Sequence, residues 1–255
     1  RPVRTDASTT GSLATSNLIV VTQESPALAS PTAVSITATS AALGGDVTTD
    51  GGATITERGI VYSVTAANNN PLIGGTGVTK VAGTGTTGVF TVAVTGLTPG
   101  TGYSYKAYAI NSQGTSYTSV ATFTTLSTNA DLSALTLSSG PLSPTFASGT
   151  TAYTASVANA VSSITVTPTR AQADATTEAR VNGGTYAAVT SGSASGTLAL
   201  NVGSNTVEVR VTAQDGVTQK TYTVIVTRMA APTVTNPTAA SVTTTGATLG
   251  GNVAA

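Results

Sequence analysis

The chain has 255 residues, 40% of them hydrophobic and only 8% charged, and its ten Lys+Arg balance its ten Asp+Glu for a formal net charge of zero. Abundant Val, Thr and Ile at zero net charge exclude the disordered class, and no apolar run reaches the roughly 20 residues of a bilayer span. The charges are scattered singly, which excludes a basic surface for nucleic acid or anionic lipid, and the lack of both His and Cys removes the common nucleophile–base pairs.

Along the chain, short β-branched and aromatic runs alternate with Gly, Pro, Asn and Asp clusters, the pattern of an all-β sandwich protein. Residues 1–24 are expected to hold the last strand of a preceding sandwich, at Asn17–Thr22. Residues 25–126 form a first complete module, with strands expected at Ala33–Ala38, Ala41–Thr48, Arg58–Val64, Val89–Thr95, Tyr103–Asn111 and Tyr117–Thr124. Asp50-Gly51-Gly52 supplies the positive φ of a tight turn, and Asn68-Asn69-Asn70-Pro71 marks a longer loop. From Tyr103 to Ala109, alternate residues should face core and water. The linker Leu126–Asn129 is too short for a floppy tether. Residues 129–228 then form a second module, where Val207, Val209 and Val211 point inward, Glu208 and Arg210 point to water, and Asp215-Gly216 begins the turn into the last strand. Residues 231–255 read as the first strands of another copy of the first module.

That last assignment rests on an internal repeat. Residues 237–253 match residues 31–47 at 11 of 17 positions, at an offset of 206 and without a gap. The same offset sets Ile225 on Ile19, Val226 on Val20 and Pro232 on Pro26. The chain is one period of a tandem array with pieces of its neighbours attached. Repeats of this kind build length and surface rather than a single catalytic pocket.

Gly96-Leu97-Thr98-Pro99-Gly100-Thr101-Gly102-Tyr103, followed by Tyr105, Ala107, Ala109, Asn111 and Gly114, resembles the corner and following strand of fibronectin type III domains. The resemblance implies that Leu97 plugs the core, Pro99 fixes the bend and the Tyr103 hydroxyl bonds back to the backbone. The chain has no Trp, so Leu43 is expected at the core position that a tryptophan usually fills. In the second module, the runs Asp131 to Gly140, Leu142 to Phe146, Thr151 to Val157, Asn205 to Gly216 and Lys220 to Arg228 resemble the cadherin-like β-sandwich repeat of bacterial surface proteins. The expected fold class is therefore all-β, with tandem immunoglobulin-like or fibronectin type III-like sandwiches arranged end to end. The resemblances imply a structural repeat segment of a large extracellular bacterial surface protein, a stalk or fibre serving adhesion or matrix and surface-layer assembly. Its partners would be neighbouring repeats or copies of the same protein, with host or matrix ligands as further candidates. Any secretion signal or anchor is expected outside these residues.

The remaining chemistry is sparse. A Ser–Lys dyad would have to use Lys80, Lys106 or Lys220, and the alternating neighbours of Lys106 and Lys220 mark them as solvated strand lysines. Glu57 beside Arg58, and Asp174 with Glu178, read as solvated charges, because glycosidase work needs two carboxylates facing one cleft and aromatics are only 4% of the chain. Asp131 and Glu24, near the module boundaries, fall short of the six to eight oxygens that calcium takes. Gly74-Gly75-Thr76-Gly77 and Gly83-Thr84-Gly85 lack the Gly-Lys-Ser/Thr of a phosphate loop and read as hairpin loops. No catalytic, cofactor or metal site is expected. Two alternatives to a stalk stay open: a filament subunit joined by strand exchange, and a spacer module of a secreted hydrolase. A glycan- or protein-binding site would belong in the loop Thr65–Thr79.

Overall fold

The computed structural model describes residues 22–254; the strand expected at Asn17–Thr22 lies, but for its final residue, outside the described residues. Among the described residues every regular element is a strand. Backbone contacts gather them into two compact units. One holds the described residues up to Ala33 with Ala42–Val92 and Ser104–Thr122, and the other holds Val34–Ala41, Ala93–Tyr103 and the described residues from Phe123 onward.

The strands before the linker are β1 Ala27–Val34, β2 Ser40–Thr49, β3 Glu57–Val64, β4 Thr79–Gly83, β5 Gly88–Thr95, β6 Gly102–Asn111, β7 Gly114–Tyr117 and β8 Ala121–Thr124. They pair as β1-β2-β5 in one sheet and as β4-β3-β6-β7 in another, with β8 also on β6. Along β5 the period of two is clean, with Phe90, Val92 and Val94 buried and their neighbours exposed. Leu43 on β2 is fully buried. At Gly45 a Cβ would lie 2.5 Å from the Cβ of Ala107, so β2 and β6 approach too closely there for any larger residue.

Four expectations for this region need correction. The strand expected at Ala33–Ala38 ends at Val34, because Ser35 turns left-handed at φ 50° and Thr37 closes a turn onto Ser40. The run Tyr117–Thr124 is not continuous: the buried Thr118 hydroxyl accepts the Ala107 N–H at 3.1 Å, and pairing resumes only at Ala121. The five-residue β4 takes Thr79 out of the loop expected at Thr65–Thr79. Finally, β6 does not alternate between core and water. Ser104 and Tyr108, on its second face, are also buried, covered by Thr65 and Glu57 respectively.

The next strands are β9 Leu132–Leu137, β10 Ala152–Val157, β11 Ser163–Ile164, β12 Val166–Arg170, β13 Thr176–Val181, β14 Ala187–Ala188, β15 Leu198–Ala199, β16 Gly203–Thr212 and β17 Gln219–Arg228. The main sheet runs β10-β17-β16-β13-β14, and β9 with β12 and β11 with β15 form antiparallel pairs. β16 and β17 are joined through Asp215-Gly216 and pair in register from Gly203–Arg228 to Thr212–Gln219, whereas β10 runs parallel to β17. Val207, Val209 and Val211 meet Tyr222, Val224 and Val226 in one buried cluster with Leu132, Leu135, Tyr153 and Ile164. Burial of each such aliphatic side chain contributes roughly 1.5–3 kcal/mol.

Beyond β17, β18 Thr233–Ala240 and β19 Thr248–Ala254 form an antiparallel hairpin. Its turn repeats the β1–β2 turn at the offset found in the sequence. Ser241 has φ 48° where Ser35 has φ 50°. Thr243 N–H donates to Gly246 O at 2.7 Å, as Thr37 N–H donates to Ser40 O at 2.9 Å. In both turns the threonine hydroxyl also takes the N–H two residues on, from Thr245 and Thr39.

Candidate functional site

The corner residues singled out in the sequence occupy one hydrogen-bonded knot. Gly96 and Gly100 turn left-handed at φ 74° and 61°, which lets the chain fold around the buried Leu97. Thr98 N–H donates to the Tyr103 hydroxyl at 2.9 Å, so the tyrosine does bond back to the backbone, as an acceptor. The Tyr103 ring stacks on Phe123 at 5.4 Å between centroids. The Pro99 carbonyl accepts the Thr101 hydroxyl at 3.1 Å. The sequence reading missed Thr125, which is buried, donates its hydroxyl to Thr98 O at 2.6 Å and accepts Thr101 N–H at 3.0 Å. In a chain this rich in threonine, nothing in the local pattern separates that one from its solvated neighbours.

The linker carries bonds of its own. Leu126 N–H donates to Thr37 O and Leu126 O accepts Gly100 N–H, both at 3.1 Å. Ser127 N–H donates to Gln214 Oε1 at 2.9 Å, and Ser127 O accepts Asp215 N–H at 3.2 Å.

Of the charged residues read as solvated, Asp174 is exposed, whereas Arg58, Glu57 and Glu178 are held by partners. Arg58 is only 7% exposed. Its Nε donates to Thr84 O at 2.7 Å, and its Nη1 is shared among the carbonyls of Thr86, Thr87 and Gly88. The guanidinium lies 4.6 Å from the Phe90 ring centroid. Burial lowers its pKa, and the carbonyl oxygens supply the partners that a buried cation requires. Glu57, on the neighbouring position, accepts from Tyr108 Oη and from Lys80 Nζ at 2.9 Å. The Tyr108 hydrogen bond first, and the Lys80 contact second, hold its carboxyl below the usual range. Burial, followed by the Glu57 hydrogen bond, raises the Tyr108 phenol.

In the second unit, Glu208 and Arg210 do not simply point to water. Arg180 Nε lies 2.6 Å from Glu208 Oε2, and Arg210 Nη2 lies 2.7 Å from Glu178 Oε2. Register places Arg180 opposite Glu208 and Glu178 opposite Arg210 across β13 and β16, so alternation that aims them outward also makes them pair. The guanidinium carbons of Arg180 and Arg210 sit 4.3 and 4.0 Å from the Tyr186 ring centroid. Asp174 takes no part in this cluster; its carboxylate accepts from Gln172 instead. Lys220 is likewise not a free strand lysine: its Nζ lies 2.7 Å from Asp131 Oδ1 and donates to Ser148 O at 2.9 Å. The Asp131 hydrogen bond raises the Lys220 pKa. Glu24 contributes its backbone carbonyl to Asn111. Among the described residues no three of Asp and Glu cluster as a metal site would need.

Together these features define an all-β protein whose first sandwich has a tyrosine corner resembling that of fibronectin type III domains and whose second resembles the cadherin-like sandwich. Residues 132–229 match the family described as the Cadherin-like beta sandwich domain, in agreement with the resemblance seen from Asp131 to Arg228. Among solved structures, a domain segment of titin is 19% identical, with 40% of this chain and 32% of that one covered at a TM-score of 0.31. The sensor domain of the anti-sigma factor RsgI4 from Pseudobacteroides cellulosolvens is 23% identical, with 40% and 95% covered at 0.31. The FN1-FN3 domains of chicken CNTN1 are 13% identical, with 86% and 72% covered at 0.36. The chain thus spans 32% of the length of the titin structure. No curated protein sequence matches it significantly. No helix among the described residues is long and apolar enough to cross a membrane.

Proposed function

We propose that this chain is a structural repeat segment of a large extracellular bacterial surface protein, part of a stalk or fibre that serves adhesion or matrix and surface-layer assembly. The observation that carries this reading is the turn at Ser35–Ser40 and its counterpart at Ser241–Gly246, alike in dihedral sign and hydrogen bonding. A turn that recurs with its sequence at a fixed offset is the mark of a tandem array. The cadherin-like match at residues 132–229 supports an extracellular setting. In this reading the chain is not an enzyme and takes no cofactor. The carboxylates of Glu57, Asp131, Glu178 and Glu208 are committed to ion pairs within the sandwiches. Its partners are the neighbouring repeats and further copies of the same protein.

Antibodies raised against residues 129–228 test the setting directly. They should label intact, unpermeabilised cells of the source organism, and the label should be lost when the surface is stripped. Labelling that needs lysis would overturn the proposal.

A further inference from the structure

The eight lysines and arginines within residues 22–254 all lie on strands. The long connections at residues 65–78, 138–151 and 189–197 contain none. Nor do the eight side chains hang free. Besides the five described above, Lys106 sits 5.8 Å from the Tyr117 ring centroid. Arg170 donates to Ala175 O, and Arg228 donates to Asn159 O and Leu200 O at 2.9 Å each. Among the described residues, basic side chains are kept from every long loop.

A protease that cuts after lysine or arginine must draw that side chain, fully extended, into an acidic pocket. It must also bind the flanking backbone as an added strand. A loop residue can meet both demands through a local excursion. A residue whose backbone is bonded in a ladder and whose side chain is paired meets them only after the strand has opened, at a free energy approaching that of unfolding. We infer that this segment is built to withstand proteases specific for basic residues, with its lysines and arginines confined to positions that such enzymes reach only through opening of the sandwich. The inference does not depend on the stalk reading and concerns a class of enzyme the chain resists rather than a partner it serves. The weakest point is Lys80. Its strand β4 ends the sheet order, and its side chain is 42% exposed.

The test is digestion of the whole native chain by trypsin, with fragments identified by mass. Cleavage after Arg4, outside the described residues, is not scored. Two variants place a lysine in a loop: Asn69→Lys, at an exposed position within 65–78, and Ala194→Lys, at an exposed position within 189–197. The parent should stay uncut at its eight strand positions while each variant is cut at the new lysine about tenfold faster or more. Two results would overturn the inference. One is native parent cut at strand positions as fast as the variants are cut at their loops. The other is loop lysines cut no faster than the parent's own, since loop composition would then not be what protects it.

Discussion

Asn111 and Asn205 hold corresponding posts, one buried asparagine tying loops together in each sandwich. Asn111 donates to the carbonyls of Glu24 and Asp50 at 2.7 and 2.8 Å and accepts the N–H groups of Gln113 and Gly114. Asn205 donates to Asn201 O and Gly203 O, and accepts Asn201 N–H and Asn182 Nδ2. Neither role needs a charge, yet removing the amide orphans several buried groups at once. Asn205→Ala should therefore cost about 2–3 kcal/mol, measured by denaturant unfolding. Arg58→Lys should destabilise by a similar amount, about 2 kcal/mol, because an ammonium cannot fan out to the carbonyls of Thr84, Thr86, Thr87 and Gly88. Glu57 titrates with a definite sign. Its folded pKa lies below the ordinary 4.5, so its contribution is complete above that value and fades as pH falls through the folded one. The difference in Tm between the parent and Glu57→Gln should thus shrink between pH 6 and pH 3; a constant difference would mean that Glu57 does not couple to folding. At this scale the sequence was only partly legible. Tyr103 announces itself through a spaced motif, whereas Arg58 and Thr125 differ from solvated residues only in neighbours brought up from 20 or more positions away.

Strand elements were legible where burial is one-sided and long enough to show a period. β5, β16 and β17 alternate over eight to ten residues and fall where the residues place them. β11, β14 and β15 have two residues each, too few for any period to show. β1 was misplaced for another reason: Ser35 adopts a conformation that its residue type does not advertise, and the turn is closed by threonine hydroxyls that could equally sit on a strand. That conformation gives a test. Ser35→Val forces a branched side chain into left-handed backbone and should lose about 1–2 kcal/mol relative to Ser35→Gly, which tolerates it. Equal stabilities by chemical denaturation would show that the turn relaxes to an ordinary conformation.

For the whole molecule, composition predicts a flat response to conditions. With no His and no Cys, no side chain of ordinary pKa titrates between about pH 5 and 8, and none can form a disulfide. Thermal stability should be nearly constant across that range and indifferent to reductant. The central claim is that one period of this chain, repeated, supplies reach. The direct measurement is contour length by electron microscopy of proteins carrying one, two and three periods. Each added period should lengthen the molecule by the same increment, whereas particles that thicken without lengthening would contradict the account.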